Sequence, residues 1–523
     1  MPDKPAGTPS AGPKAKDAAR IAAGYAFDGA ALELGSVVLA GAPYPEARIR
    51  VPLGMLNRHG LIAGATGTGK TKTLQVLTEQ LSGAGVPVVV ADIKGDLSGL
   101  LQPGTSNGKI SQRSADTGDD WTATGYPVEF YALGAIGTGV PLRATMTSFG
   151  PTLLSKVLDL NDTQESSLGL IFSYADKAGL PLLDLKDLRA VIQFLVSGEG
   201  KAELAGLGGL SSATAGVILR SLISLETQGG DVFFGEPEFE TADLMRTAAD
   251  GRGVISSIEL ANLQDRPQLF STFLMWLLAD LFHELPEVGD PDKPKLVFFF
   301  DEAHLLFTGA SKPFLQAVTQ TVRLIRSKGV GIFFVTQNPQ DVPDDVLGQL
   351  GNRVQHALRA FTPDDAAALA KAVRTYPKTT DYDLKQDLTQ LGTGEAVITV
   401  LAESGSPTPV AWTRLRAPRS LMAQIDPAAQ QQAVTSSPQQ IAYGPPIDRE
   451  SAYEKLAARL TAQAPPVPQQ VPSQQLPQTA PGPADGVLAG IFGSNVFKSF
   501  ARSAASSLGR EISRGVFGVR RRR

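Results

Sequence analysis

Two hydrophobic periods alternate along the chain. Short runs of consecutive apolar residues, rich in Val, Ile and Phe, predict buried strands. Between them lie longer stretches with apolar residues at helical spacing, which predict amphipathic helices. "LIAGATGTGKTKTLQVLTEQL" reads as a strand at about Leu61–Ala63, a glycine loop and a helix, and "VPVVVADIKGD" reads as the next strand. Strand, loop, helix and strand in this order predict a βαβ crossover and a parallel sheet. Strand patterns return in "GVISSIEL", "KLVFFFDEAH", "GVGIFFVTQ", "RVQHALRAF" and "GEAVITVLAE". The alternation predicts one α/β domain.

Breaks in the pattern set the organisation. Residues 1–20 read as a disordered tail and 21–55 as a short β segment. The α/β core occupies 56–150 and 251–420, interrupted at 151–250 by a segment with helical spacing and no strand signal. Within the first half, Gln102–Gly125 reads as a polar surface excursion. Residues 421–463 form an extension with a short helix at about Glu450–Leu460. A Pro/Gln-rich linker follows at 464–486. At 487–523, Val496, Phe500, Ala504, Leu508, Ile512 and Val516 recur four apart among Lys498, Arg502, Arg510 and Arg514, and the chain ends in four Arg. This is the pattern of a basic amphipathic helix.

Composition narrows the chemistry. The chain has 523 residues, enough for several domains, and no Cys, which removes thiolate metal sites, disulfides and cysteine nucleophiles. The four His are scattered and make no ligand cluster. A net charge of −4 gives no overall basic field, although a local basic stripe or a ring of subunits still accommodates DNA. No secretory segment and no apolar run long enough for a bilayer are present, so the expected location is cytoplasmic.

Gly64-Ala65-Thr66-Gly67-Thr68-Gly69-Lys70-Thr71 matches the complete phosphate-binding pattern between a strand and a helix. Glycines let backbone N–H groups approach phosphate, Lys70 places a charge on the β/γ-phosphates, and the Thr71 hydroxyl suits Mg²⁺. ATP with Mg²⁺ is therefore the expected ligand. The strand ending in Asp301 and Glu302 supplies the second half. Asp301 is the expected metal ligand, and Glu302 the base for the attacking water, unless it only complements the dipole of the next helix. Gln337, at the end of "GVGIFFVTQ", is a candidate γ-phosphate sensor or turn residue. Arg323, Arg326, Arg353 and Arg359 are candidate arginine fingers, although any single one of them reads first as a solvated or structural charge. His304 is expected to pack in a helix, and His59 to be a hydrogen-bonded structural residue.

These segments resemble the HerA/FtsK superfamily of RecA-like P-loop ATPases, nearest to the bacterial HerA-like subfamily. The likeness lies in "RHGLIAGATGTGKT", "VVVADIKGDLSGL", "FFFDEAHLLF" and "RLIRSKGVGIFFVTQNPQDVP" and spans roughly Gly35–Pro418. The resemblance implies an ASCE-type, mainly parallel sheet with Glu302 as base beside the magnesium ligand Asp301, and Gln337 as sensor. It implies Arg326 as a finger acting in a neighbouring subunit, with a further arginine at Arg359 on the later strand. Hexameric rings that move DNA or protein are the implied assembly. Departures from the DNA-translocating members are the short N-terminal β segment and the helical insertion. The competing function is a nucleotide-dependent scaffold or switch at the membrane surface, with slow hydrolysis, which the basic C-terminal helix would serve.

Overall fold

The computed structural model describes residues 13–462 except 205, 207, 261, 263–265 and 309. The linker at 464–486 and the basic segment at 487–523, with the membrane contact expected of it, lie outside the described residues.

The strands are β1 (Ala31–Leu39), β2 (Ala42–Pro52), β3 (Gly60–Ala63), β4 (Val88–Asp92), β5 (Val128–Leu133) and β6 (Val140–Leu142). They continue as β7 (Ile255–Glu259), β8 (Leu296–Phe300), β9 (Val330–Thr336), β10 (Asn352–Gln355), β11 (Glu395–Thr399) and β12 (Ala411–Leu415). All belong to one sheet in the order β2-β1-β12-β11-β10-β3-β9-β8-β4-β7-β5-β6. From β10 to β6 every pairing is parallel. The other end, β10-β11-β12-β1-β2, is antiparallel. The β segment at 21–55 is thus the edge of the main sheet.

The central strands are apolar throughout because both faces are covered. Val297 and Phe299 of β8 lie in one core with Leu74, Leu77 and Leu81 of the helix Lys70–Gly83. Leu296, Phe298 and Phe300 lie in the opposite core with Trp276 of the buried helix Pro267–Glu284. That second core runs on into the helices Met146–Val157, Asp162–Lys177, Leu185–Leu195 and Ser212–Leu225. The interrupting segment is therefore continuous with the sheet's core.

Four expectations change. The tail read through residue 20 contains the helix Pro13–Ala23, anchored by buried Ala18 and Ile21. Its small apolar residues were masked by the charges around them. The excursion at Gln102–Gly125 contains the helix Gly108–Thr117, capped by Asn107. Third, the strand expected in "RVQHALRAF" stops at Gln355. Arg359 therefore lies beyond the strand, exposed. Beyond Gln355 the backbone turns to hold the phosphate loop: His356 N donates to Ala63 O at 2.7 Å and Ala65 N to Ala357 O at 2.8 Å. Fourth, the C-terminal extension has three helices, Pro427–Ser436, Pro438–Tyr443 and Ala452–Ala462, where one was expected. Among the described residues, no helix is long and apolar enough to cross a membrane.

Candidate active site

The site sits at the carboxyl ends of β3, β9, β8 and β4, where adjacent parallel strands release their loops on one edge. One strand, β9, separates the phosphate-loop strand β3 from the acid-bearing strand β8. Register sets the heights: Ala63 pairs with Thr336, and Phe300 with Phe334. Asp301 and Glu302 therefore emerge beside the exit of the phosphate loop.

The loop turns on glycines with positive φ at Gly64, Gly67 and Gly69. A Cβ on Gly64 would lie 2.5 Å from the Cβ of His356, whereas Gly67 opens to free space where a ligand oxygen can approach. Thr66 and Gly67 form the exposed outer turn, Ala65 leads into it, and the Thr68 hydroxyl donates to Ala65 O at 2.7 Å. Thr71 is half-buried in the first turn of the helix. Lys70 is buried and donates to Gly64 O at 2.7 Å and Ala65 O at 3.2 Å. Burial, with Lys94 nearby, holds its pKa below the usual lysine value.

Asp301 is 1% exposed. Its Oδ1 accepts from Glu302 N at 2.9 Å, and its Oδ2 is buried without a partner. Burial pushes its pKa up to about 7. A desolvated carboxylate oxygen with no donor costs about 1–3 kcal/mol, so this position fits a cation. Glu302 is turned out of the strand by φ +47°, an uncommon conformation for a side-chain-bearing residue. Its Oε1 is paired with Lys94, and His304 Nδ1 lies 3.2 Å from its Oε2. Burial pulls the Glu302 carboxyl up, but the Lys94 hydrogen bond and charge outweigh it and hold the group below the ordinary glutamate range. His304 thus neighbours the site rather than merely packing in a helix.

Gln337 is exposed directly after β9, one residue beyond the Ala63–Thr336 pair. Arg326 is exposed in the short turn Arg326–Lys328 at the opposite end of β9. The strand between them spans about 20 Å, so Arg326 does not meet the phosphate loop of its own chain. Arg353 is used structurally, donating to Leu350 O and Leu347 O.

Asp92, Glu259 and His356 also belong to the site. Asp92 ends β4 in register with Glu259 of β7, and its carboxylate accepts the N–H groups of Lys94, Gly95 and Leu97. Burial lifts Asp92 to about 6 and, with Asp92 beside it, Glu259 to about 8. His356 lies fully buried under the loop, with Nε2 2.8 Å from Thr73 Oγ1. Acids closing apolar runs were the available signal for Asp92 and Glu259; His356 carried none.

The sequence profile of the family described as Helicase HerA-like C-terminal matches residues 38–523. The chain belongs to the HerA-like family. Its RecA-like fold places the glycine loop and the acid pair on one edge of the sheet. The chain is 25% identical over 413 residues to the DNA double-strand break repair helicase HerA of Pyrococcus furiosus, covering 72% of this chain and 68% of that protein. It is 33% identical over 125 residues to a probable helicase of Methanocaldococcus jannaschii, covering 23% and 22%. In fold it is similar to the plasmid coupling protein TrwB in complex with a non-hydrolysable ATP analogue, at TM-score 0.51, 16% identity, and 78% and 94% coverage. TrwB in complex with ADP and Mg²⁺ aligns at TM-score 0.50, 16% identity, and 78% and 93% coverage.

Proposed function

We propose that the protein binds ATP with Mg²⁺, hydrolyses it, and acts as the motor subunit of a ring that translocates DNA. The observation that carries the ATPase reading is the partnerless Oδ2 of buried Asp301 at the sheet edge shared by the glycine loop and Glu302. HerA-like membership and the helicase HerA relative support DNA as the polymer.

The loop backbone at Gly67, Gly69 and Lys70, at the positive end of the helix Lys70–Gly83, would receive the phosphates. Lys70 leaves the Gly64 and Ala65 carbonyls to meet the β/γ-phosphates. Thr71 and Asp301 are the residues that would hold Mg²⁺, which would supply charge neutralisation when bound. Glu302 takes a proton from a water as its oxygen bonds to the γ-phosphorus. The bond from that phosphorus to the β-phosphate bridging oxygen breaks, giving ADP and phosphate. Gln337 orients the water, and Arg326 of a neighbouring subunit stabilises the leaving charge, a role the separation within one chain leaves open to a second copy.

The deciding experiment is ATP turnover with and without duplex DNA over a salt series. A DNA motor shows stimulation that falls steeply with salt. Turnover indifferent to DNA, with liposome binding lost on removal of residues 487–523, would replace the motor with the membrane-surface switch.

A further inference from the structure

Lys94 is the group in the site that neither the phosphate loop nor the acid pair explains. It follows β4 in a loop whose shape is fixed from within and without. From within, the Asp92 carboxylate accepts Lys94 N at 3.1 Å, Gly95 N at 2.7 Å and Leu97 N at 2.9 Å. From without, the segment 419–425 crosses the loop: Gln424 Nε2 donates to Lys94 O at 3.1 Å and Ile425 N to Ser98 Oγ at 3.2 Å. The same segment is bound to the phosphate-loop helix. Lys72 Nζ reaches Met422 O at 3.0 Å, Gln75 Nε2 reaches Leu421 O at 3.0 Å, and Glu79 accepts Arg419 N at 2.8 Å and Ser420 N at 2.9 Å. The backbone under Lys94 is thus held rigidly against the nucleotide helix.

From that fixed base, the ammonium reaches across to Glu302 Oε1, the carboxylate assigned above as the base. Glu302 is buried, while the Lys94 side chain remains 42% exposed. The charge of Lys94 acts on Asp301 as well. One ammonium therefore serves two carboxylates that a divalent cation would otherwise neutralise. A carboxylate held by an ammonium is a poor acceptor for a water proton, because its lone pair and charge are already engaged.

We propose that Lys94 is a positioning residue that withholds Glu302 from the attacking water until the metal–nucleotide arrives. The added positive charge at Asp301 repels the ammonium, which leaves toward solvent and frees Glu302. Premature activation of water in an empty or metal-free site is thereby avoided. This inference rests on the ATPase reading.

The test compares the full-length wild type with Lys94→Met and Lys94→Arg. Affinity for a non-hydrolysable ATP analogue is measured over a Mg²⁺ titration, and kcat and KM for ATP are measured beside it. Lys94→Met is expected to lower the half-saturating Mg²⁺ concentration roughly three- to tenfold, the loss of one partly exposed ion pair that must otherwise be broken. Its turnover without DNA rises through kcat, and Lys94→Arg returns both values toward wild type. An unchanged Mg²⁺ requirement overturns the proposal. So does a Lys94→Met protein that binds normally but no longer turns over, since Lys94 would then act on the phosphates. A wild type that neither binds nor hydrolyses ATP sinks the ATPase reading, and this proposal with it, before any variant is compared.

Discussion

His356 Nε2 lies 2.8 Å from Thr73 Oγ1, directly beneath the first turn of the nucleotide helix. Burial, with Lys70 nearby, pushes the imidazole pKa down to about 3, so the ring is neutral in the folded protein. Unfolded, it takes up a proton near pH 6.5. A His with a lowered folded pKa contributes stability above its unfolded pKa and loses it as pH falls toward the folded one. Relative to His356→Gln, the wild type should lose about 1.4 kcal/mol per pH unit between roughly pH 6 and 4. Denaturant unfolding of both proteins across that range measures it, and parallel pH curves would refute the assignment.

Glu302 and Asp301 are adjacent but separable. Glu302→Gln should retain nucleotide binding and lower kcat by about a hundredfold or more. Asp301→Asn should raise the Mg²⁺ requirement, because a neutral amide holds the cation less well. Titrating Mg²⁺ against turnover distinguishes the two. Normal hydrolysis by Glu302→Gln would move the base elsewhere.

Arg326 gives a prediction about assembly. Lys70→Ala should abolish nucleotide binding, and Arg326→Ala should abolish turnover while binding persists. Mixed and allowed to reassemble, the two inactive proteins should recover part of the activity, since an intact loop then meets an intact arginine from a neighbour. Turnover at wild-type level in Arg326→Ala alone would pass the role to Arg323 or Arg359.

Asp187 joins the helical segment to the C-terminal extension. Its carboxylate accepts Leu183 N at 2.9 Å, Asp184 N at 3.2 Å and Tyr453 N at 2.9 Å, and bonds the Ser451 hydroxyl. Removing it leaves several partly buried donors unmatched and breaks the capping box that it forms with Asp184. Asp187→Ala should cost about 2–4 kcal/mol, read as a lowered denaturation midpoint. A change below about 0.5 kcal/mol would mean that the extension is held by its apolar contacts alone.

The central sheet was legible because its strands are buried on both faces and so lack polar interruptions. Val88–Asp92, Leu296–Phe300 and Val330–Thr336 declared themselves this way. The glycine loop was legible because phosphate chemistry demands that spacing. Strands such as Ala411–Leu415, with Trp412 and Arg414 half-exposed, carry an alternating pattern too short to stand out. The pairing of Lys94 with Glu302 joins residues 208 positions apart, and no local pattern encodes it. His356 was hidden for the same reason. Its role comes from the end of β10 running under the loop, a tertiary event that the strand's own residues do not announce.

Sheet order also governs when this protein can be assembled. The strand β3 that carries the glycine loop has β9 and β10 as its neighbours, so its pairings wait for residues 330–355. Its helix is closed from behind by Arg419 and Ser420, which come later still. During synthesis the nucleotide loop therefore emerges early and stays unfinished, its strand edges open, until nearly the whole core has left the ribosome. The phosphate site is among the first features of the chain to be made and among the last to work.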